Sequence, residues 1–173
     1  MRLKDKVAVI TGGGSGIGRA SALKFASEGA RLCLVDRDEA GADETAAMII
    51  AAGGEAMVRI SDVGEPGTAD ADAAAVIERF GRIDVLFAAA GFSVGGTVLT
   101  TRPDWDAVFR ANVGGTWLWA RAVVPFMQRQ GGGAIVTTAS QLAMAGGAGN
   151  SAYIAAKGAI LSLTRTMAER KSV

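Results

Sequence analysis

The sequence has no histidine, one tyrosine and one cysteine. Histidine is the side chain that most readily exchanges protons near neutral pH, so any acid–base chemistry here must use another group. Cys33 sits inside the apolar run Leu32 to Val35, where a buried small hydrophobe is the expected role, and no metal-ligand spacing is visible. Thiol usage this sparse argues mildly for a reducing compartment. Charge of one sign is also lacking: 18 Lys plus Arg face 17 Asp plus Glu with no long run of either. A nucleic-acid or anionic-membrane partner is therefore not expected. The apolar run after Lys6 stops at Thr11-Gly12-Gly13, too short for a signal-peptide core or a membrane span. These absences lead to the expectation of a soluble, cytoplasmic protein with a small-molecule partner.

What is present is an alternation. With 173 residues and 50% hydrophobic composition the chain can bury the core of one domain, taken as residues 1–173. Short apolar runs at Val7 to Ile10, Arg31 to Val35, Ala56 to Ile60, Ile83 to Phe87 and Ala134 to Thr138 are expected strands. Helical patterns lie between them at 16–28, 38–52, 66–80 and 104–130, and another begins near 151. This order predicts an α/β fold of right-handed βαβ units around a parallel sheet covered on both faces. Within 104–130, Trp105, Val108, Phe109, Asn112, Val113, Thr116, Trp117 and Ala120 share one helical face. That face is expected to be core, or in part a contact with a second subunit.

Two stretches carry chemistry. In "VAVITGGGSGIGRA" a strand runs into glycines 12, 13, 14, 16 and 18 and then a helix. Glycines let the backbone approach a pyrophosphate, and the helix start offers unpaired N–H groups; the alternative is a tight turn with no ligand. The second strand ends at Asp36, where a carboxylate can accept from ribose hydroxyls and would repel a 2′-phosphate. NAD is thereby favoured over NADP, although the adjacent Arg37 could pair with phosphate. In "SAYIAAKGA", Tyr153 and Lys157 fall at i and i+4 of a helix and face the same way. An adjacent ammonium favours a phenolate, which makes a tyrosine a usable acid–base group. Ser140 follows the strand "AIVTTAS" at the sheet edge where ligands collect. Taken singly, these residues could equally be a core tyrosine, a solvated lysine and a turn cap.

Together, "TGGGSGIG", Asp36, "SDV" at 61–63, "AAAG" at 88–91, Asn112 in "RANVGGTW", Ser140 and "YIAAK" occur in an order and spacing that resembles the short-chain dehydrogenase/reductase family. The resemblance implies a Rossmann-like, doubly wound parallel sheet. It implies an NAD-dependent oxidoreductase that moves a hydride between nicotinamide and a secondary alcohol or ketone. It assigns Tyr153 as proton carrier, Lys157 as its modulator and ribose ligand, Ser140 as the group that orients the substrate oxygen, and Asn112 as holder of a relay water. Cofactor contacts are implied for Gly12, Gly14, Ser15, Gly16, Ile17, Gly18, Asp36, Arg37, Asp62, Val63, Ala89, Ala90, Gly91, Tyr153 and Lys157. A homo-oligomer, dimer or tetramer, is implied as well. Phe92, Val94, Gln141, Leu142 and Met144 are expected near the substrate approach.

The sequence departs from the family pattern twice. Ala88 and Ala89 stand where two asparagines are usual, which removes side-chain hydrogen bonds near the cofactor. The stretch "ERKSV" does not resemble the family's continuation, which would add further strands, a Pro-Gly turn and a substrate-covering helix. The expectation is a C-terminally truncated member lacking the last strands and helix, with the strand at 134–138 exposed as an edge. The second functional reading is therefore a nucleotide-binding or oligomer-forming fragment with little turnover.

Overall fold

The protein is described by a computed structural model covering residues 1–169. Of the terminal stretch that departs from the family pattern, Arg170 to Val173 lie outside the described residues. Five parallel strands form one sheet in the order β3-β2-β1-β4-β5. They are β1 (Val7–Thr11), β2 (Arg31–Asp36), β3 (Glu55–Ile60), β4 (Val85–Ala88) and β5 (Ala134–Thr137). The connecting helices are α1 (Gly16–Ser27), α2 (Glu39–Ala51), α3 (Thr68–Phe80), α4 (Arg102–Phe109), α5 (Gly115–Arg129), α6 (Leu142–Ala145) and α7 (Ser151–Ala168). This is the doubly wound, Rossmann-like α/β arrangement.

Every residue of β1 is buried because helices cover both faces of the sheet. On one face Ala8, Ile10, Leu32 and Leu34 pack with Ala22 of α1 and Ala46 and Ile49 of α2. On the other, Val7, Val9, Cys33, Val35 and Leu86 pack with Ala73 and Val76 of α3 and Trp119 and Val123 of α5. At the opposite side of the sheet β5 is an edge among the described residues, and Val136 on it is 47% exposed. No described helix is long and apolar enough to cross a membrane.

The continuous helix expected at 104–130 is instead broken by a π-turn over Arg110–Gly114. The cause is local competition for carbonyls. Asn112 Nδ2 donates to the Val108 carbonyl (3.0 Å) and Thr116 Oγ1 donates to the Asn112 carbonyl (2.8 Å). A widened turn accommodates this and adds one residue to the helical count. The added residue rotates the face that follows. Trp117, expected on the core face, is half exposed beneath the Arg121 guanidinium, while Trp119 is fully buried. The four-residue α6 was not foreseen from the pattern.

The strand expected from Ile83 begins at Val85 instead. The Gln130 side chain captures the backbone of Ile83 on both sides, accepting from its N–H and donating to its carbonyl. Asp84, buried at the foot of the sheet, accepts from Val7 N–H (2.9 Å) and from Arg82. Burial alone would raise the Asp84 pKa, but the Arg82 and Val7 hydrogen bonds win and hold it below the usual carboxylate range.

Two predictions rest on this packing. Burial pushes the Cys33 thiol up from 9.0 to about 12, with the Asp72 carboxylate adding to the effect. Because the folded value is the raised one, the thiol's contribution to stability is complete below pH 9.0 and is lost as pH climbs toward about 12. Alkylation of Cys33 near pH 9 should therefore proceed only at the rate of global unfolding, and rapid modification of native protein would contradict the burial. The second concerns glycines. A Cβ on Gly18 would overlap the carbonyl oxygen of Gly12, whereas a Cβ on Gly158 would meet nothing within 4 Å. Gly18→Ala should lower the unfolding free energy by about 3 kcal/mol or more, at the upper end for overpacking. Gly158→Ala, inside α7, should raise it by about 0.5–1 kcal/mol. Urea titration of both variants checks the pair of signs.

Candidate functional site

All five strands point their C-terminal ends at one side, and the segments leaving them border a cleft of about 570 Å³. From the glycine loop come Gly12, Ser15, Gly16, Ile17 and Gly18, and from the end of β2 come Asp36, Arg37 and Asp38. Ser61, Asp62 and Val63 follow β3, Ala89, Ala90, Gly91 and Phe92 follow β4, and Thr138 follows β5. Ala107, Arg110 and Ala111 come from α4 and the π-turn, and Tyr153 and Lys157 come from α7.

The glycine loop is built by backbone bonds that a side chain would block. Gly12, at φ +71°, donates to the Val35 carbonyl (2.8 Å), and a Cβ there would press on the Ala90 backbone at 2.9 Å. Ser15 occupies the N-cap of α1 in extended conformation and makes no capping bond. The first N–H groups of α1 have no carbonyl within the helix to donate to, and the residues that carry them, Gly16 to Gly18, line the cleft. Gly14 does not line the cleft; it stands behind it, and its N–H donates to Asp36 Oδ2 at 2.9 Å. Asp36 Oδ1 accepts from the Asp38 N–H at 3.0 Å. The Arg37 guanidinium lies over the Phe92 ring, 5.7 Å from its centroid. Asp62 accepts from the Gly64 N–H and pairs with Arg110 at 3.1 Å. Val63 is buried against Gly115, where a Cβ would come within 2.6 Å of it.

The loop after β4, which carries alanines at 88 and 89, is held by a backbone donor. Ala90 N–H donates to Thr11 Oγ1 at 3.2 Å, tying the end of β4 to the end of β1. Gly91 leaves room for Asn112, whose Oδ1 a Cβ at Gly91 would overlap. Asn112 is 1% exposed and donates through Nδ2 to the Phe92 carbonyl at 2.9 Å and to Val108. Its Oδ1 is buried without a hydrogen-bond partner among the described residues, and so is Thr138 Oγ1.

Tyr153 and Lys157 lie on one face of α7, as their spacing requires. The ammonium nitrogen is 5.4 Å from the phenol ring centroid and donates to the Thr138 carbonyl at 2.8 Å. Lys157 is only 3% exposed, and its burial lowers the ammonium pKa below the ordinary lysine value. Tyr153 also packs in a cluster with Val108, Ala152 and Ala156 that joins α7 to α4.

Of the residues singled out in the sequence, Gly12, Ser15, Gly16, Ile17, Gly18, Asp36, Arg37, Asp62, Val63, Ala89, Ala90, Gly91, Tyr153 and Lys157 converge on the cleft, whereas Gly13 and Gly14 lie outside its lining. Asn112 sits directly behind Gly91. Ser140 is outside the lining, and its Oγ accepts from the Leu142 N–H at 3.2 Å as α6 begins. Sequence reasoning passed over Thr138 and Arg110. Thr138 ends the last run of β-formers, which was a readable signal; Arg110 stands at the start of the π-turn, which the pattern did not reveal.

Residues 6–172 match the family model described as short chain dehydrogenase. Levodione reductase of Leifsonia aquatica is 39% identical over 171 residues, covering 96% of this chain and 64% of that protein. Meso-2,3-butanediol dehydrogenase of Serratia marcescens is 38% identical over 169 residues, covering 97% of this chain and 66% of that one. The crystal structure of an NAD+-bound xylitol dehydrogenase superposes with a TM-score of 0.94 at 34% identity, over 97% of this chain and 65% of the other. The chain thus spans about two thirds of the length of the proteins it matches. A family model matched through nearly the whole chain, relatives of 38 and 39% identity and a shared fold have one reading: this chain belongs to the short chain dehydrogenase family.

Proposed function

We propose that the protein binds NAD in this cleft and acts as an oxidoreductase on a secondary alcohol or its ketone. The observation that carries the proposal is the placement of Tyr153 and Lys157 on the same cleft as the glycine loop and Asp36. The residues fit the cofactor. Gly12 and Gly16 leave the loop without side-chain bulk, the α1 N-terminus offers donors to a pyrophosphate, and the Asp36 carboxylate can accept from ribose hydroxyls. A bound nicotinamide would supply or accept the hydride. Two proteins similar to this one are named for xylitol and butanediol, which are alcohols, and the first is named as NAD+-bound.

The chain's own groups would manage the proton. The Tyr153 hydroxyl would give a proton to the carbonyl oxygen or take one from the alcohol. The Lys157 ammonium, close to the ring, would stabilise the phenolate, and its lowered pKa makes it a readier proton donor in turn. Ser140 would orient the substrate oxygen. Its Oγ accepts from Leu142, which leaves the O–H free to donate. The unpaired Asn112 Oδ1 would accept from a relay water.

Two measurements test the proposal. Saturating NAD, at a hundred times its dissociation constant, should stabilise the fold by about 2.7 kcal/mol, read as a rise in melting temperature. Tyr153→Phe should keep that shift while alcohol-dependent NADH formation falls by at least about 100-fold. Equal turnover by wild type and the phenylalanine variant would remove Tyr153 from the chemistry.

A further inference from the structure

Arg19 follows the last glycine of the loop and does not line the cleft, yet its guanidinium is the most heavily engaged near it. Its Nε and Nη2 both donate to the Gly14 carbonyl, at 3.0 and 2.6 Å. The same groups reach α2, with Nε donating to Thr45 Oγ1 (3.0 Å) and Nη2 to the Gly41 carbonyl (3.3 Å). Outside, Nη2 pairs with the exposed Glu44 carboxylate at 2.6 Å. Gly14 and Gly41 are pressed so closely that a Cβ on Gly41 would come within 2.8 Å of the Gly14 carbonyl oxygen.

A glycine with free torsions would not hold a ligand-binding geometry by itself. Gly14 is restrained from both sides, by Asp36 at its N–H and by Arg19 at its carbonyl. Resting on the proposal that the cleft takes a dinucleotide, we infer that Arg19 is a positioning residue that sets the preference for a 2′-hydroxyl over a 2′-phosphate. By clipping the glycine loop to α2, it keeps the Gly14 N–H on Asp36 Oδ2, while the Asp38 N–H holds Oδ1, so the carboxylate is fixed at both oxygens. With the Gly14 bond released, the carboxylate would keep only the Asp38 bond and could rotate about it, and its repulsion of a 2′-phosphate would weaken.

The test is the ratio of dissociation constants for NADP and NAD, measured by calorimetry on wild type, Arg19→Ala, Arg19→Lys and Glu44→Gln. The ratio should fall by about fivefold or more in Arg19→Ala. It should fall in Arg19→Lys as well, because an ammonium keeps the charge but cannot fork to two carbonyls. A fall of about twofold is expected for Glu44→Gln, where only the outer ion pair is lost. If Arg19→Ala fails to fold, the lysine and glutamine variants decide. Equal weakening of both dinucleotides at an unchanged ratio would reduce Arg19 to a structural brace and overturn the inference. Wild-type behaviour of Arg19→Lys would overturn it too, since charge and not the clip would then matter. Wild type that binds neither dinucleotide would instead sink the underlying NAD proposal, and this inference with it.

Discussion

The absence of a side chain at Gly18 lets α1 begin directly against the Gly12 carbonyl, and the rest of the cleft is dimensioned from that contact. Gly12 and Gly13 both bond to Val35, so the loop is pinned to β2 one residue before Asp36. These backbone bonds set the distance from the helix end to β2, and the Gly14 N–H, braced by Arg19, holds the carboxylate within it. A longer side chain at either glycine would separate two groups that a single dinucleotide would have to span.

The opposite wall follows a different logic, in which a charged group is buried and its neighbours accommodate it. Lys157 enters the interior with one carbonyl bond, from Thr138, and with Asn112 Oδ1 and Thr138 Oγ1 unpaired nearby. Unpaired buried polar atoms cost free energy, and two of the three among the described residues lie on this wall, the third being Trp119 Nε1 in the core. The π-turn belongs to the same wall. It is the backbone's accommodation of Asn112, whose amide is committed to Phe92 and Val108.

Much of this was readable in advance because it depends on local chemistry. Uninterrupted apolar runs bounded by glycine located the strands, the glycine spacing located the loop, and the Tyr153–Lys157 interval fixed their shared face. The failures were non-local. The Gln130 side chain, 47 residues away, delays β4 past Ile83. The π-turn rotates Trp117 outward and Trp119 inward, which no uniform helical wheel foresees. Ser140 was legible as a position but not in its bond to Leu142, and the network of Arg19 needed the packing of α1 against α2 to become visible.

The rotation at the π-turn also has an optical consequence. Trp105, Trp117 and Trp119 are the chain's three tryptophans, and they straddle the turn in graded surroundings. Trp105 stacks on Phe109 with ring centroids 5.0 Å apart, Trp117 is 50% exposed, and Trp119 is sealed in the core. Their emission is therefore a built-in gauge of this helix pair. A soluble quencher reaches Trp117 first, and light from Trp119 shifts to the red only when the sheet and α5 come apart.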